Sequence, residues 1–205
     1  LRKSPDDVKM VLIGPGLRGN GVTVARMLAS RAHIVVVIDP NINPLGKTPD
    51  AYRRVQINLE EMNVILVVAD LYVQKNLLNF IRAVAIVRRQ RPGVRVRIAG
   101  SALDPWYHGQ VMALVDQLGL GEQIEFLGRR TPDELPDLYR RCLFLAFPST
   151  AETFGNPLVE AMACGTPIAC SNTAAMPEIV AGAALQFDPY SPESIAGACV
   201  RMIDS

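Results

Sequence analysis

A series of short apolar segments, largely without polar alternation, constrains the fold of this chain most strongly. They are rich in Val, Ile, Leu and Phe, and segments with helical periodicity separate them. Runs of this kind are typical of strands that are buried on both faces of a parallel sheet. We therefore predict an α/β fold, a doubly wound parallel sheet covered by helices. The predicted strands are Val8–Ile13, His33–Asp39, Asn63–Ala69, Val94–Ala99, Ile124–Leu127, Cys142–Phe147, Pro167–Ser171 and Ala184–Phe187.

Helices are predicted between the later strands. Lys75 to Arg91 carries an apolar stripe at helical spacing, and Pro105 to Leu118 forms the next candidate. Thr131 is a good N-cap residue, with Pro at the next position and Glu134 three residues on, and Ser191 begins the last helix in a similar way. At the start of the second helix we expect Trp106 and His108 to pack against the fold rather than line a groove.

The stretch from Pro40 to Glu61 differs from the rest, because it is rich in proline and has no sustained periodicity. It is typical of a linker. We therefore divide the chain into residues 1–62 and residues 63–205. The first part, about 60 residues, is too short for a complete α/β domain of the usual 100–150 residues.

Composition excludes several classes of partner. Lys plus Arg (21) nearly balances Asp plus Glu (20), so the net charge of +1 gives no bulk attraction to nucleic acid. No apolar run is long enough to span a bilayer, and no apolar signal region follows the N-terminus. We expect a cytoplasmic protein, or one peripheral to a membrane in its full-length form. The first residue is not Met, so we expect the protein to start upstream. Oligomeric state cannot be inferred from the sequence.

A metal site is not expected. The 4 cysteines form no C-x-x-C pair and only 2 histidines are present. Cys142 and Cys170 lie in strand-like runs and are predicted to be buried thiols in a reducing compartment. No cofactor is predicted either.

The most informative segment follows the strand Cys142–Phe147. Pro148 and Ser149 end the extended run, and a loop carries Glu152, Phe154 and Gly155. Asn156 is a good N-cap and Pro157 suits the first helical turn. The sequence thus predicts a strand–loop–helix unit, and ligands of open α/β sheets bind at the carboxyl ends of such strands.

The local chemistry suits an anion flanked by hydroxyl groups. Backbone N–H groups between Phe154 and Leu158 and the positive end of the helix favour an anion, and Gly155 permits close approach to the backbone. Glu152 in the loop and Glu160, predicted in the first turn, could accept hydrogen bonds from two polyols. An ordinary loop Glu and a first-turn Glu favoured by the helix dipole explain the same residues equally well.

The segment resembles the E-x7-E motif of retaining glycosyltransferases of GT-B fold, family 4, the glycosyl transferases group 1 domain. Other segments match the family pattern in order from about residue 63 to the C-terminus. The motif is matched by Pro148, Ser149, Glu152, Phe154, Gly155, Glu160, Ala161, Met162, Ala163, Gly165 and Pro167. The other segments begin at Lys75, Arg97, Phe126, Pro177 and Phe187.

The resemblance implies a role for each matching position. Glu152 would contact the transferred sugar, Glu160 the ribose and Lys75 the diphosphate of a nucleotide sugar donor. The base would lie near Gly128, Arg129 and Arg130. The remaining donor contacts would come from Ser149, Phe154, Gly155, Asn156, Pro157 and Leu158, and Glu178 is the weakest match. The resemblance further implies transfer to an unidentified acceptor with retained anomeric configuration, without a metal, and poor transfer by this donor half alone.

Two positions depart from the family pattern. Asp70 stands where the family usually has an Arg directed at the diphosphate, so its carboxylate must point away, be compensated or weaken the site. Thr173-Ala174-Ala175 replaces a turn that is usually rich in glycine, which leaves the conformation of that loop open.

Two other functions remain open. Gly14, Gly16, Gly19 and Asp39 have the spacing of a dinucleotide-binding fingerprint, which would indicate an NAD(P)-dependent oxidoreductase. A lone motif of this kind is weak, and Pro15 stiffens its loop. The second alternative is a non-catalytic sugar-nucleotide-binding module, weakened by Asp70.

Overall fold

The computed structural model describes residues 63–205 and two earlier strands, β1 (Met10–Ile13) and β2 (Ile34–Val37). The chain divides into two compact units, residues 1–62 and residues 63–205. In the first unit, β1 and β2 pair in parallel, with Met10 opposite Ile34.

The second unit contains six strands, six α-helices and one 3₁₀ turn. In chain order they are β3 (Val64–Val68), the 3₁₀ turn (Val73–Lys75), α1 (Leu77–Gln90), β4 (Arg95–Ala99), α2 (Pro105–Gln117), β5 (Ile124–Gly128), α3 (Leu135–Arg141), β6 (Phe144–Phe147), α4 (Asn156–Ala163), β7 (Ile168–Ser171), α5 (Met176–Val180), β8 (Leu185–Phe187) and α6 (Pro192–Asp204).

The six strands form one parallel sheet in the order β5-β4-β3-β6-β7-β8. The predicted parallel α/β fold is therefore confirmed. The strand order reverses between β3 and β6, and the crevice at such a switch point is the usual ligand site of an open α/β sheet. The residues that follow these two strands include Lys75 and Glu152.

Helices cover both faces of this sheet. Successive strand residues point to opposite faces, so Ile65 packs into one buried cluster and Leu66 into the other. The first cluster includes side chains of α1, α2 and α6, and the second includes side chains of α3, α4 and α5. This is the doubly wound arrangement that the uninterrupted apolar strands predict.

The predicted start of the first helix was wrong. Lys75 ends a 3₁₀ turn, Asn76 has a left-handed backbone with φ 56°, and α1 begins only at Leu77. The break places Lys75 on a separate turn above the end of β3 rather than on the helix surface.

Two details of α4 also differ from prediction. Gly155 occupies the N-cap position with φ 74°, and Asn156 is the first helical residue without a side-chain cap. Glu160 is the fifth residue of α4 and therefore lies one turn inside the helix, not in its first turn. Glycine adopts such a positive φ without steric cost, which suits Gly155 to this N-cap position.

Two further helix starts refine the prediction. The Glu134 carboxylate accepts hydrogen bonds from the N–H and hydroxyl of Thr131 at 2.8 and 3.0 Å, but α3 begins at Leu135. On α2, Trp106 is 67% exposed, so its predicted packing was wrong; Tyr107 is the buried aromatic residue there.

No helix within the described residues is long and apolar enough to cross a membrane.

Candidate functional site

A cavity of about 300 Å³ opens at the carboxyl ends of β3 and β4 and beside the N-terminus of α4. Its lining contains acidic and basic residues together with alanine and glycine residues. The lining residues are Val68, Ala69, Asp70, Tyr72, Lys75, Ala99, Gly100, Arg129, Arg130, Leu135, Asn156, Pro157 and Glu160.

Lys75 and Glu152 form an ion pair above this crevice. The Lys75 Nζ donates to Glu152 Oε1 at 2.5 Å, and the two side chains are only 12% and 14% exposed. The ammonium also lies 5.3 Å from the Tyr72 ring centroid and 6.0 Å from that of Phe147. The prediction gave the two residues different parts of a ligand, whereas the structure joins them directly.

Asn76 holds the Lys75 turn in place, a role that the sequence analysis missed. Its buried side-chain amide donates to the carbonyl oxygens of Pro148 at 3.1 Å and Pro189 at 2.7 Å. The N–H of Thr150 donates to the Gln74 carbonyl at 2.8 Å, which joins the turn to the Glu152 loop. An Asn directly after Lys75 was visible in the sequence, but its αL backbone was not.

The N-terminus of α4 presents free backbone donors. Pro157 has no N–H, and that of Leu158 donates to the Gly155 carbonyl at 2.9 Å. Within residues 63–205, the N–H groups of Phe154, Gly155 and Asn156 have no acceptor. The predicted donor set between Phe154 and Leu158 is therefore narrower than expected and lies at the very start of the helix, where the dipole favours an anion.

Glu160 lines the cavity, and its carboxylate accepts a hydrogen bond from the buried Tyr139. The Tyr139 hydroxyl donates to Glu160 Oε2 at 2.7 Å, and Tyr139 itself is 1% exposed. Burial, followed by the hydrogen bond to Glu160, raises the pKa of the Tyr139 phenol, so it remains a neutral donor at physiological pH. No role for Tyr139 was predicted from the sequence.

Two arginines line the side of the cavity that follows β5. Arg129 is exposed, while Arg130 is half-buried and donates from one guanidinium nitrogen to the Leu127 carbonyl at 2.7 Å. The Nε of Arg130 is buried and has no partner among the described residues. The preceding Gly128 has φ 68°, which turns the chain toward the cavity.

Asp70 is one of the residues that form the cavity wall. Its Oδ1 accepts the N–H of Ser101 at 2.7 Å, and no cation pairs with it among the described residues. Next to it, Gly100 approaches so closely that a Cβ there would lie 1.9 Å from the Ala69 carbonyl oxygen. The carboxylate is compensated by a backbone dipole rather than by an opposite charge.

The structure thus brings half of the predicted site residues into one cavity. Lys75, Arg129, Arg130, Asn156, Pro157 and Glu160 line it. The remaining six, Glu152, Phe154, Gly155, Leu158, Gly128 and Ser149, lie outside its wall. Ser149 is 1% exposed and its hydroxyl has no partner among the described residues, while Phe154 is 56% exposed.

The remaining predictions have mixed outcomes. Gly14, Gly16, Gly19 and Asp39 lie outside the described residues, and Glu178 is exposed on α5. Ala174 adopts φ 49° in the turn where the family usually has glycine, so the departure leaves an alanine in a strained conformation. The Thr173 hydroxyl donates to the Thr150 carbonyl at 3.4 Å and ties this turn to the Glu152 loop.

Comparison with curated proteins gives relatives that carry glycosyltransferase names. The chain is 36% identical over 91 residues to an O-antigen chain mannosyltransferase B of Escherichia coli, covering 44% of this chain and 24% of that protein. It is 32% identical over 114 residues to a D-inositol 3-phosphate glycosyltransferase of Segniliparus rotundus, covering 54% of this chain and 25% of that protein. The match thus spans about a quarter of each relative.

Solved structures share the fold. The Anabaena protein Alr3699/HepE, crystallised with UDP and glucose, superposes with a TM-score of 0.66 at 24% identity, covering 91% of this chain and 58% of that one. The C-terminal domain of a glycosyl transferase group 1 family protein (LpcC) from Francisella tularensis gives 0.62 at 26% identity, covering 69% of this chain and 75% of that one.

The family model described as glycosyl transferases group 1 matches residues 50–205, which is most of the chain. This match includes the whole sheet of β3 to β8 and every described residue of the cavity. The chain therefore belongs to the glycosyl transferases group 1 family.

Proposed function

We propose that residues 63–205 bind a nucleotide sugar and form the donor half of a family 4 glycosyltransferase that transfers a hexosyl group with retention of anomeric configuration. The observation that carries this proposal is the joint placement of three features around one cavity. They are the Lys75 ammonium, the free N–H of Asn156 at the start of α4 and the Glu160 carboxylate.

The cavity fits the three parts of such a donor. Its volume of about 300 Å³ lies within the usual range for small-molecule sites. The α4 N-terminus and Lys75 are suited to a diphosphate, since both favour negative charge. Glu160 can accept hydrogen bonds from the ribose, and Arg129 and Arg130 can contact the base. The Anabaena structures with UDP and glucose and with UDP-glucose support a donor of this chemical class.

In the proposed reaction, the bond between the anomeric carbon and the diphosphate oxygen breaks while the acceptor oxygen bonds to the same face of the sugar. The acceptor proton passes to the departing diphosphate. Lys75 stabilises the negative charge that develops on that diphosphate, and Glu152 holds sugar hydroxyls. The proposal assigns no protein nucleophile, no metal and no cofactor.

The acceptor belongs to the rest of the enzyme in this proposal. GT-B enzymes react in a cleft between two domains, and we assign residues 1–62 to the acceptor-side domain and the linker. The 205-residue chain alone should therefore bind donor well and transfer sugar poorly.

One calorimetric panel tests the function. UDP, GDP, ADP and NAD are titrated into the 205-residue chain, and we expect one nucleoside diphosphate to bind. Glu160→Ala should weaken that binding about ten-fold, because a charge-assisted contact to the ribose is lost. Glu122→Ala, which removes an exposed carboxylate in the turn before β5, is the matched control. Binding of NAD alone would favour the oxidoreductase and contradict the proposal.

A non-catalytic nucleotide-sugar module is the second candidate, and Asp70 favours it. A carboxylate in the cavity wall repels a diphosphate, and no cation among the described residues neutralises it. The two candidates differ in turnover. A full-length protein that binds the nucleotide sugar but neither hydrolyses nor transfers the sugar would be the module rather than the enzyme.

A further inference from the structure

Tyr139 joins the buried core to the cavity through a single hydrogen bond. Its ring lies in the core cluster between the sheet and α3–α5, and its hydroxyl reaches Glu160 Oε2 at 2.7 Å. Within the described residues, the other carboxylate oxygen, Oε1, has no hydrogen-bond partner, and Glu160 lines the cavity. One oxygen of Glu160 is therefore held and the other is available.

The backbone of Tyr139 is fixed as well as its ring. The Tyr139 carbonyl accepts the Thr166 hydroxyl at 2.7 Å and the Cys142 thiol at 3.2 Å. Thr166 is buried, and its own N–H donates to the Ala161 carbonyl at the end of α4. These contacts tie α3 and α4 together on either side of the hydroxyl, so the phenol oxygen is a rigid donor.

A Glu side chain has three rotatable bonds, and ordering it on binding costs conformational entropy. A rigid donor to one carboxylate oxygen removes part of that cost before the ligand arrives, which is preorganisation. Because a phenol in this position donates a proton and an ionised carboxylate only accepts, the interaction has one direction. The hydrogen bond therefore fixes which oxygen is presented to the cavity.

We infer that Tyr139 is a positioning residue that holds Glu160 Oε2, so that Oε1 faces the ribose hydroxyls of the bound nucleotide. This inference rests on the proposed function, since it needs Glu160 to contact the ribose. It adds a residue 21 positions from Glu160, on a different helix, to the determinants of ribose recognition.

The test measures ribose dependence rather than affinity alone. UDP, GDP and ADP are titrated into the 205-residue chain by calorimetry, and the tightest binder is compared with its 2′,3′-dideoxy analogue. The ratio of the two affinities is measured for the wild type, Tyr139→Phe, Glu160→Ala and the double variant. Tyr139→Phe keeps the buried ring and removes only the hydroxyl.

We expect Tyr139→Phe to weaken binding of the ribose-containing nucleotide about three- to ten-fold, the size of one net hydrogen bond. Binding of the dideoxy analogue should hardly change. In the Glu160→Ala background, adding Tyr139→Phe should have no further effect on either ligand, because the side chain that Tyr139 positions is gone.

Tyr107→Phe is the matched control. Tyr107 is also buried, at 2% exposure, and its hydroxyl accepts the Leu77 N–H at 2.8 Å at the start of α1. Its loss removes a buried tyrosine hydrogen bond without touching Glu160. We expect Tyr107→Phe to lower stability and leave the affinity ratio unchanged.

Three outcomes distinguish failure of the proposed function from failure of the inference about Tyr139. If the wild type binds none of the three diphosphates, the proposed function fails and the inference falls with it. If the wild type binds the dideoxy analogue equally well, the ribose assignment of Glu160 is wrong. If the wild type discriminates and Tyr139→Phe discriminates equally, the inference about Tyr139 alone is overturned.

A second variant covers the case in which Tyr139→Phe does not fold. Thr166→Val removes the hydroxyl that holds the Tyr139 carbonyl and leaves the phenol in place. It should reduce ribose dependence in the same direction but by a smaller factor. Circular dichroism at the assay temperature establishes which variants are folded, and unchanged ribose dependence in a folded Thr166→Val would count against the rigid anchoring of Tyr139.

Discussion

The Lys75 ammonium lies 2.5 Å from the Glu152 carboxylate, across the point where the strand order of the sheet reverses. The two residues follow β3 and β6, and their side chains are only 12% and 14% exposed. Glu152 therefore competes with any diphosphate in the cavity for the positive charge of Lys75. Binding of an anion requires that Lys75 share its charge between two acceptors.

We therefore expect Glu152→Gln to tighten binding of a nucleoside diphosphate that carries no sugar, by about three- to ten-fold. Loss of the carboxylate frees the full charge of Lys75 and removes a nearby negative charge. Sugar transfer by the full-length protein should fall in the same variant, because Glu152 is proposed to hold the sugar.

Calorimetry at low and high ionic strength checks the electrostatic origin of this effect. The gain should shrink as salt is added, since screening weakens interactions between charges in or near solvent. Glu122→Gln removes an exposed carboxylate from the turn before β5 and should leave the affinity for the nucleoside diphosphate unchanged. Weaker binding in Glu152→Gln would show that the ion pair orders Lys75 for the ligand instead of competing with it.

Asp70 gives a second charge test. Asp70→Asn keeps an oxygen that can accept the Ser101 N–H and removes the negative charge from the cavity wall. We expect nucleoside diphosphates to bind about three- to ten-fold more tightly, again most clearly at low salt. Asp116→Asn is the control, because Asp116 is exposed near the opposite end of α2. Equal affinity in Asp70→Asn and the wild type would place the diphosphate away from β3.

Ala174 lies in the turn that is usually rich in glycine in the family, and a substitution there tests the strain of its backbone. Its φ of 49° is costly for any residue with a Cβ, by about 1–2 kcal/mol. Ala174→Gly should relieve that strain and raise the free energy of unfolding by about 0.5 kcal/mol after the larger entropy loss of glycine. Ala113→Gly, in the exposed interior of α2, should lower it by about 1 kcal/mol. Urea unfolding of both variants checks that the two changes have opposite signs.

Asn76 supports the loops around the Lys75 turn. Asn76→Gly keeps the αL backbone but removes the amide that donates to the Pro148 and Pro189 carbonyls, and we expect a loss of about 2–3 kcal/mol. Asn76→Ala loses the same bonds and also adopts a strained φ, so it should be about 1 kcal/mol less stable than Asn76→Gly. Equal stability of the two variants in urea would contradict the assigned backbone strain.

The strands of the sheet could be predicted from the sequence because each one depends on the apolar residues of a single short segment. In β3, four of the five residues are buried, so the apolar run and the strand coincide to within a residue at each end. The same holds for β7, predicted as Pro167–Ser171 and observed as Ile168–Ser171. Burial on both faces leaves no polar residue inside such a run, and the ends are marked by turn residues.

The candidate site was predicted less completely because its contacts are not local. The Lys75–Glu152 pair joins residues 77 positions apart, and the Tyr139–Glu160 bond joins two helices. Neither leaves a spacing in the sequence that periodicity could detect. The missed break at Asn76 has another cause, since its αL conformation depends on the carbonyl oxygens of distant Pro148 and Pro189.

The buried cysteines predict how stability depends on alkaline pH. Burial raises the pKa of the Cys199 thiol to about 12 and that of Cys170 to about 11. In the unfolded chain these thiols ionise near pH 8.5–9. Between pH 9 and pH 11, therefore, the unfolded state loses protons that the native state keeps. The stabilisation is fully present below the unfolded-state pKa, and it is lost as pH rises toward the folded-state pKa of each thiol.

Each such thiol should contribute a slope of about 1.4 kcal/mol per pH unit to the decline in the free energy of unfolding. Cys199→Ala should therefore show a shallower decline than the wild type between pH 9 and pH 10.5, whatever its stability at pH 7. Cys164→Ala, at a half-buried position, is the control for loss of a thiol. Urea unfolding across this range gives the slopes, to which ionising tyrosines and lysines contribute equally in all three proteins. Identical slopes for Cys199→Ala and the wild type would mean that the Cys199 thiol ionises as readily in the folded protein as in the unfolded chain.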